Sequence, residues 1–139
     1  MSFTRILVVD DFLPWHRFIR EIVESDADLQ VIAVAADGFE AVQKAIELKP
    51  DLILMDVSLP GMNGFQAAQQ IRTSCPESKI LFLSEHRDSD HIKVAFDVGG
   101  SGYVLKTDSK PDLVRGIKCI LGGQQYVSQS LKDWGSIPH

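Results

Sequence analysis

Cysteine is scarce in this sequence: only Cys75 and Cys119 are present, 44 residues apart. With no Cys-x-x-Cys pair and no histidine at ligand spacing beside them, neither a thiolate metal site nor a redox pair is indicated, and free, mostly buried thiols are expected. Long apolar runs are also missing. None approaches the length needed to span a bilayer, and the start, MSFTRI, has no long apolar segment after Arg5, so the chain reads as cytoplasmic with no membrane partner. Positive charge is in the minority, 14 Lys and Arg against 19 Asp and Glu, for a net charge of −5. That balance disfavours general attraction to nucleic acid, so this chain is not expected to contact nucleic acid itself. Internal repeats and low-complexity segments are absent too.

What the sequence does have is an ordinary globular composition, 45% apolar and 24% charged over 139 residues, enough for one core and too little for a second substantial one. Five short apolar runs alternate with segments of helical period. The strand candidates are RILVVD (5–10), LQVIAVA (29–35), DLILMD (51–56), KILFLS (79–84) and GYVLK (102–106). Continuous Val, Ile and Leu suits strands covered on both faces. Between them, Trp15, Phe18, Ile19, Ile22 and Val23 recur at helical spacing, and Val42, Ala45 and Ile46 make a shorter stripe. A third helix is read from Gly64 to Thr73 and a fourth, weaker in pattern, from about Asp88 to Val98. The fifth carries Leu113, Val114, Ile117, Ile120 and Leu121 and stops at Gly122-Gly123. Alternating strands and helices predict an α/β, doubly wound (βα)5 fold around a five-stranded parallel sheet.

Right-handed crossovers bring every strand's C-terminal end to one edge of such a sheet, and ligands bind beyond that edge. There the sequence places Asp10 and Asp11, Asp56, Ser84 and Lys106. Taken alone, Asp10 and Asp11 are equally well read as solvated loop acids or helix caps, and Lys106 or Ser84 as ordinary strand ends. Together they define a site beyond the strand ends. Clustered carboxylates repel unless a cation neutralises them, and Mg2+ (or Mn2+) takes one or two carboxylates alongside waters and phosphate oxygens. A carboxylate is also a nucleophile toward phosphorus. Asp56, alone at the end of strand three, is the candidate nucleophile, with Asp10 and Asp11 available to the metal.

In these residues the sequence resembles the receiver domain of two-component response regulators over roughly residues 4 to 123. The acidic pair, Asp56, Ser84 and the Tyr103/Lys106 pair occur in the family's order and spacing. MDVSLPGMNG (55–64) looks like its phosphoacceptor loop, and GGSGYVLK (99–106) is similar to its strand-five signature. The resemblance implies the flavodoxin-like strand order 2-1-3-4-5. It also implies a phosphorelay role in which Asp56 accepts a phosphoryl group from a sensor histidine kinase. Asp11, Asp56 and the backbone carbonyl of Ser58 would hold magnesium, with Asp10 assisting. Lys106 would pair with the carboxylate and then the phosphoryl oxygens. Ser84 would move to the phosphoryl group, vacating space into which Tyr103 swings, so that helix four, strand five and helix five carry the signal. Such a domain catalyses its own phosphorylation and autodephosphorylation without being a conventional turnover enzyme. It pairs as a homodimer through that same surface or through helices one and five.

Some positions depart from the family pattern. Glu85 stands where a small residue is usual, a carboxylate able to crowd or repel the incoming phosphoryl group. His86 and Ser58 lie where members tune phosphoryl lifetime, although a solvated loop histidine explains His86 as well. Thr107 replaces the common proline after the lysine, leaving the 106–107 peptide geometry open. Three rival readings fit parts of the pattern. A haloacid-dehalogenase-type phosphatase needs a second acid two residues after its nucleophile, where Ser58 stands. A flavodoxin-like cofactor binder needs hydroxyls and glycines in the first loop, where DDFLPWH offers negative charge. A pseudo-receiver that works without phosphorylation is supported by Glu85 alone. Residues 1–123 are therefore assigned to the receiver and 124–139 to a tail or linker, in which Tyr126, Val127 and Leu131 are available to form a short helix or dock on the core. The stretch LGGQQYVSQSL (121–131) is similar to the exit from receivers of LuxR-type transcription regulators.

Overall fold

The structure, a computed structural model, describes residues 3–134. The chain runs β1 (Thr4–Val9), α1 (Leu13–Glu24), β2 (Leu29–Ala35), α2 (Gly38–Leu48), β3 (Leu52–Asp56), α3 (Gly64–Ser74), β4 (Lys79–Ser84), α4 (Ser89–Asp97) and β5 (Gly102–Leu105). A 3-10 turn (Lys106–Asp108) then leads into α5 (Ser109–Leu121), β6 (Tyr126–Val127) and a 3-10 turn (Gln129–Trp134). All neighbouring strands pair in parallel, in the order β2-β1-β3-β4-β5-β6.

The continuous apolar strands are divided by their period of two between two cores. Leu7, Val9, Ile53, Met55, Ile80, Phe82, Tyr103 and Leu105 face the side covered by α2, α3 and α4. Ile6, Val8, Leu52, Leu54, Leu81, Leu83 and Val104 face α1 and α5, meeting Ile19, Val23, Leu113, Ile117 and Ile120. Helix starts are defined by local chemistry. Asp37 caps α2 by accepting from the Glu40 amide, Asn63 and Gln66 form a reciprocal capping box on α3, and Asp88 caps α4 through the His91 amide.

The five-stranded expectation is corrected by a sixth strand. Tyr126 and Val127 pair with Gly102 and Tyr103 along the outer edge of β5, so these tail residues dock as a strand and not as a helix. The Tyr126 hydroxyl donates to buried Asp112 at 2.6 Å, the Leu105 amide donates to Ser128 Oγ at 2.8 Å, and Leu131 is buried. Burial, followed by the hydrogen bond to Asp112, pushes the Tyr126 hydroxyl up to about 12. Two residues are too few to show a strand period, so only the waiting edge of β5 specifies β6. The tail's last residues, 135–139, lie outside the described residues. β5 also ends one residue earlier than expected, with Lys106 opening the 3-10 turn. No peptide among the described residues is cis, so Lys106–Thr107 is trans. Both thiols are free, Cys75 buried and Cys119 only partly so.

Candidate functional site

Asp10 and Asp11 are neighbours with opposite environments. Asp10 is 1% exposed whereas Asp11 is exposed, so the expectation that both lie outside the core holds only for Asp11. The Asp10 amide still bonds across to the Ala35 carbonyl at 3.0 Å, continuing the β1–β2 pairing and drawing the side chain under the loop. Its Oδ1 accepts from the Phe12 amide at 2.8 Å, and its Oδ2 accepts from Lys106 Nζ at 2.9 Å. The same ammonium lies 3.3 Å from Asp56 Oδ2.

Asp56 ends β3 at 4% exposure, and its Oδ1 accepts from the Ser58 amide at 3.2 Å. Burial, reinforced by the charge of Asp10, pushes its carboxyl up to about 6; Lys106 pulls the other way. For Lys106 burial works against the charged form, but the pairs with Asp10 and Asp56 outweigh it and raise its pKa. One ammonium thus serves two buried carboxylates, leaving the pocket short of positive charge. Asp10, Asp11 and Asp56 offer carboxylate oxygens within 4.8 Å of one another, a hard-oxygen donor set of the kind magnesium prefers. The chemistry of this set fits the ion.

Ser84 and Tyr103 meet through one short segment. Ser84 Oγ accepts from the His86 amide at 3.0 Å, and the fully buried Tyr103 donates to the His86 carbonyl at 2.7 Å. Burial raises the Tyr103 hydroxyl to about 12, which keeps it protonated and a donor. Tyr103 is already directed inward.

The pocket is a cleft of about 720 Å3 lined by the polar Asp10, Asp11, Asp56, Ser58, Glu85, Lys106 and Thr107 and by the aromatic Phe12, Trp15 and Phe18. Trp15 and Phe18, part of the apolar stripe of helix one, reach beyond the core: Lys106 Nζ sits 5.2 Å from the centre of the Trp15 ring, so this aromatic face also borders the ammonium. His16 was missed. Its Nε2 donates to the Asp10 carbonyl at 2.6 Å and so braces the acidic loop; a histidine amid the apolar stripe of helix one was the available signal. Gly64, read as the start of the third helix, has a steric role that its sequence position does not show. A Cβ there would lie 2.1 Å from the Asp56 carbonyl oxygen, so only glycine lets α3 start against the end of β3.

A parallel doubly wound sheet whose carboxyl edge gathers buried acids around a lysine defines a signal-receiving domain; a dinucleotide binder would offer phosphate-binding glycines there. The chain belongs to the response regulator receiver domain family, whose sequence model matches residues 6–118. The oxygen regulatory protein NreC of Staphylococcus aureus is 37% identical over 128 residues, which are 91% of this chain and 59% of that protein. The chain thus spans about three fifths of the length of the curated relatives it matches. A two-component response regulator of the LuxR family from Aurantimonas sp. SI85-9A1 superposes with a TM-score of 0.91 at 35% identity, covering 95% of this chain and 94% of that one. The response regulator domain of Thermotoga maritima CheB gives 0.82 at 30% identity, covering 87% and 98%. Phosphorylation-dependent signalling follows from membership of this family, and receiver domains generally bind magnesium at the acidic pocket. No helix among the described residues is long and apolar enough to cross a membrane.

Proposed function

We propose that Asp56 is the phosphoacceptor. The observation that carries this reading is the convergence on Asp56 of the Lys106 ammonium, the Ser58 amide and the two acids at the end of β1. An Asp56 oxygen attacks the phosphorus of a phosphohistidine on a sensor histidine kinase; the P–O bond forms as the P–N bond breaks, and the imidazole leaves with the electron pair. Lys106 shifts from the carboxylate toward the phosphoryl oxygens. Asp11, Asp56 and the Ser58 carbonyl hold magnesium, or manganese, with Asp10 behind them; the ion supplies charge neutralisation for the transferring group. Positioning and charge carry such transfer, so a small phosphodonor serves as well as a kinase.

Ser84 and Tyr103 are the switch. Phosphorylation draws Ser84 Oγ from the His86 amide toward the phosphoryl oxygens, and the inward Tyr103 relays the change to α4, β5 and α5. Glu85 and His86 border the approach and tune phosphoryl lifetime. Residues 1–123 form the receiver and 124–139 lead out of it, with β6 lying along β5 so that the exit strand is hydrogen-bonded to the switch strand. Homodimers form through α4-β5-α5, where β6 now supplies the outer edge, or through α1 and α5. The LuxR-family likeness favours a transcriptional output in a cytoplasmic protein. A pseudo-receiver acting without phosphorylation is the second reading, favoured only by Glu85 in the pocket lining.

The test is exposure to a small-molecule phosphodonor with magnesium, read by intact mass. The native chain gains one phosphoryl group and Asp56→Asn gains none. Equal labelling of the variant sinks the assignment. Failure of a cognate kinase to label the native chain while labelling Glu85→Ala favours the pseudo-receiver.

A further inference from the structure

A second cluster of metal-ligating side chains lines a cleft shared with Asp11 and Ser58, and apart from the lifetime tuning given to His86 its members have no role in the phosphoryl transfer above. His86, in the loop leaving β4, and His91, in the first turn of α4, stack with ring centres 3.9 Å apart and planes 8° from parallel. Asp88 joins them. Its Oδ2 accepts from the His91 amide at 3.1 Å and lies 2.7 Å from His91 Nδ1. An ionised carboxylate only accepts, so Nδ1 carries a proton and Nε2 is the ring nitrogen left to meet a metal ion. A carboxylate that orients an imidazole in this way is the usual partner of a metal-binding histidine. One ring nitrogen from each histidine and one Asp88 oxygen lie within 4.8 Å of one another.

We propose that His86, Asp88 and His91 form a binding site for a transition-metal dication, Zn2+, Cu2+ or Ni2+, distinct from the hard-oxygen pocket of Asp10, Asp11 and Asp56. Two imidazoles and a carboxylate suit these ions, whereas magnesium takes oxygen ligands. Parallel rings direct their in-plane lone pairs side by side, so one ring must turn to share an ion. Among the described residues the His86 ring has no hydrogen-bond partner, so the turn gives up its stacking on His91 and no hydrogen bond. The consequence for signalling rests on the receiver reading. The His86 backbone holds both Ser84 and Tyr103, so an ion on its side chain ties the switch segment to the first turn of α4.

The metal-free chain, with excess magnesium occupying the acidic pocket, is titrated with Zn2+ by calorimetry and with Cu2+ by its visible absorption. One ion binds per chain. His86→Ala and His91→Ala weaken it at least about tenfold, as does Asp88→Asn, which keeps the helix cap while removing the carboxylate. Asp56→Asn leaves it unchanged. No saturable binding, or isotherms in both histidine variants identical to that of the native chain, overturns the site. Zinc should also tighten beryllium fluoride binding at least twofold in the native chain and not in His91→Ala, since coupling is reciprocal. Zinc binding without that change overturns the coupling alone. Loss of beryllium fluoride binding altogether overturns the receiver chemistry and leaves the metal site standing.

Discussion

Asn at position 56 would remove the charge that the fold itself resists. Asp56 is almost fully buried, and its carboxyl titrates at about 6 against an ordinary value of 3.8, because burial and the charge of Asp10 outweigh the attraction of Lys106. The sign follows from proton linkage. A carboxyl that holds its proton more tightly when folded contributes stability below the unfolded value near 4, and that contribution is lost as pH rises through about 6. Above pH 7 the native protein therefore carries a penalty that Asp56→Asn escapes. About two pKa units at 1.36 kcal/mol each give about 3 kcal/mol as the upper limit. Lys106 and Asp10 share the charge, so a gain of about 1 to 3 kcal/mol is expected, or roughly 4 °C in melting temperature per kcal/mol at this chain length. Urea unfolding of both proteins in chelator at pH 4, 6 and 7.5 measures it. The variant should be the more stable at pH 7.5, with the gap closing by pH 4. A variant no more stable at pH 7.5, or a gap indifferent to pH, refutes the account of the pocket as an uncompensated charge cluster.

Magnesium relieves the same repulsion, so free ion at ten times its dissociation constant should add about 1.4 kcal/mol; Asp11→Asn, at an exposed position, should abolish this shift in a thermal melt without lowering the metal-free melting temperature. Gly64→Ala forces a methyl against the Asp56 carbonyl oxygen 2.1 Å away. It should cost at least about 2 kcal/mol in urea unfolding and slow labelling of Asp56 by a small phosphodonor, and a neutral effect on both would contradict the close approach. Tyr126→Phe strips one of the two hydrogen bonds from the buried Asp112 carboxylate, leaving only the Gln129 amide at 3.2 Å. A loss of about 1 to 2 kcal/mol is expected, with faster amide exchange at Val127; unchanged exchange would show that β6 does not depend on the pair.

The βα alternation was legible because its signals are local. Each strand is a run of Val, Ile and Leu, four helices carry an apolar stripe of period 3.6 or a recognisable stop, and α4, with Ile92 and Ala95 as its buried residues, gave the weakest pattern for that reason. The convergence of Asp10, Asp56 and Lys106 was legible by a different route, whereas Ser84, at the end of β4, is bonded to the His86 amide and not to these groups. Strand ends are marked in the chain, and the handedness of parallel crossovers sends all of them to one edge. β6 escaped, since Tyr126 and Val127 acquire strand geometry only from the unpaired edge of β5, a partner about twenty residues back in the chain. His16 escaped because its place amid the apolar stripe of α1 marks it as unusual without naming its partner, the Asp10 backbone carbonyl.

By itself the sequence determined the order of elements from β1 to α5, the two-sided apolar strands and the sheet edge at which those strands end, all consequences of side-chain periodicity and chirality. Only the tertiary structure decided that adjacent Asp10 and Asp11 differ, one buried beneath Lys106 and the other open to solvent, because burial depends on what the loop packs against. Tertiary packing also shifted the Asp56 carboxyl to about 6 and placed Ser84 and Tyr103 on the two backbone groups of one residue, His86. Desolvation and hydrogen bonding are properties of the assembled neighbourhood, and no stretch of chain contains that neighbourhood until it has folded.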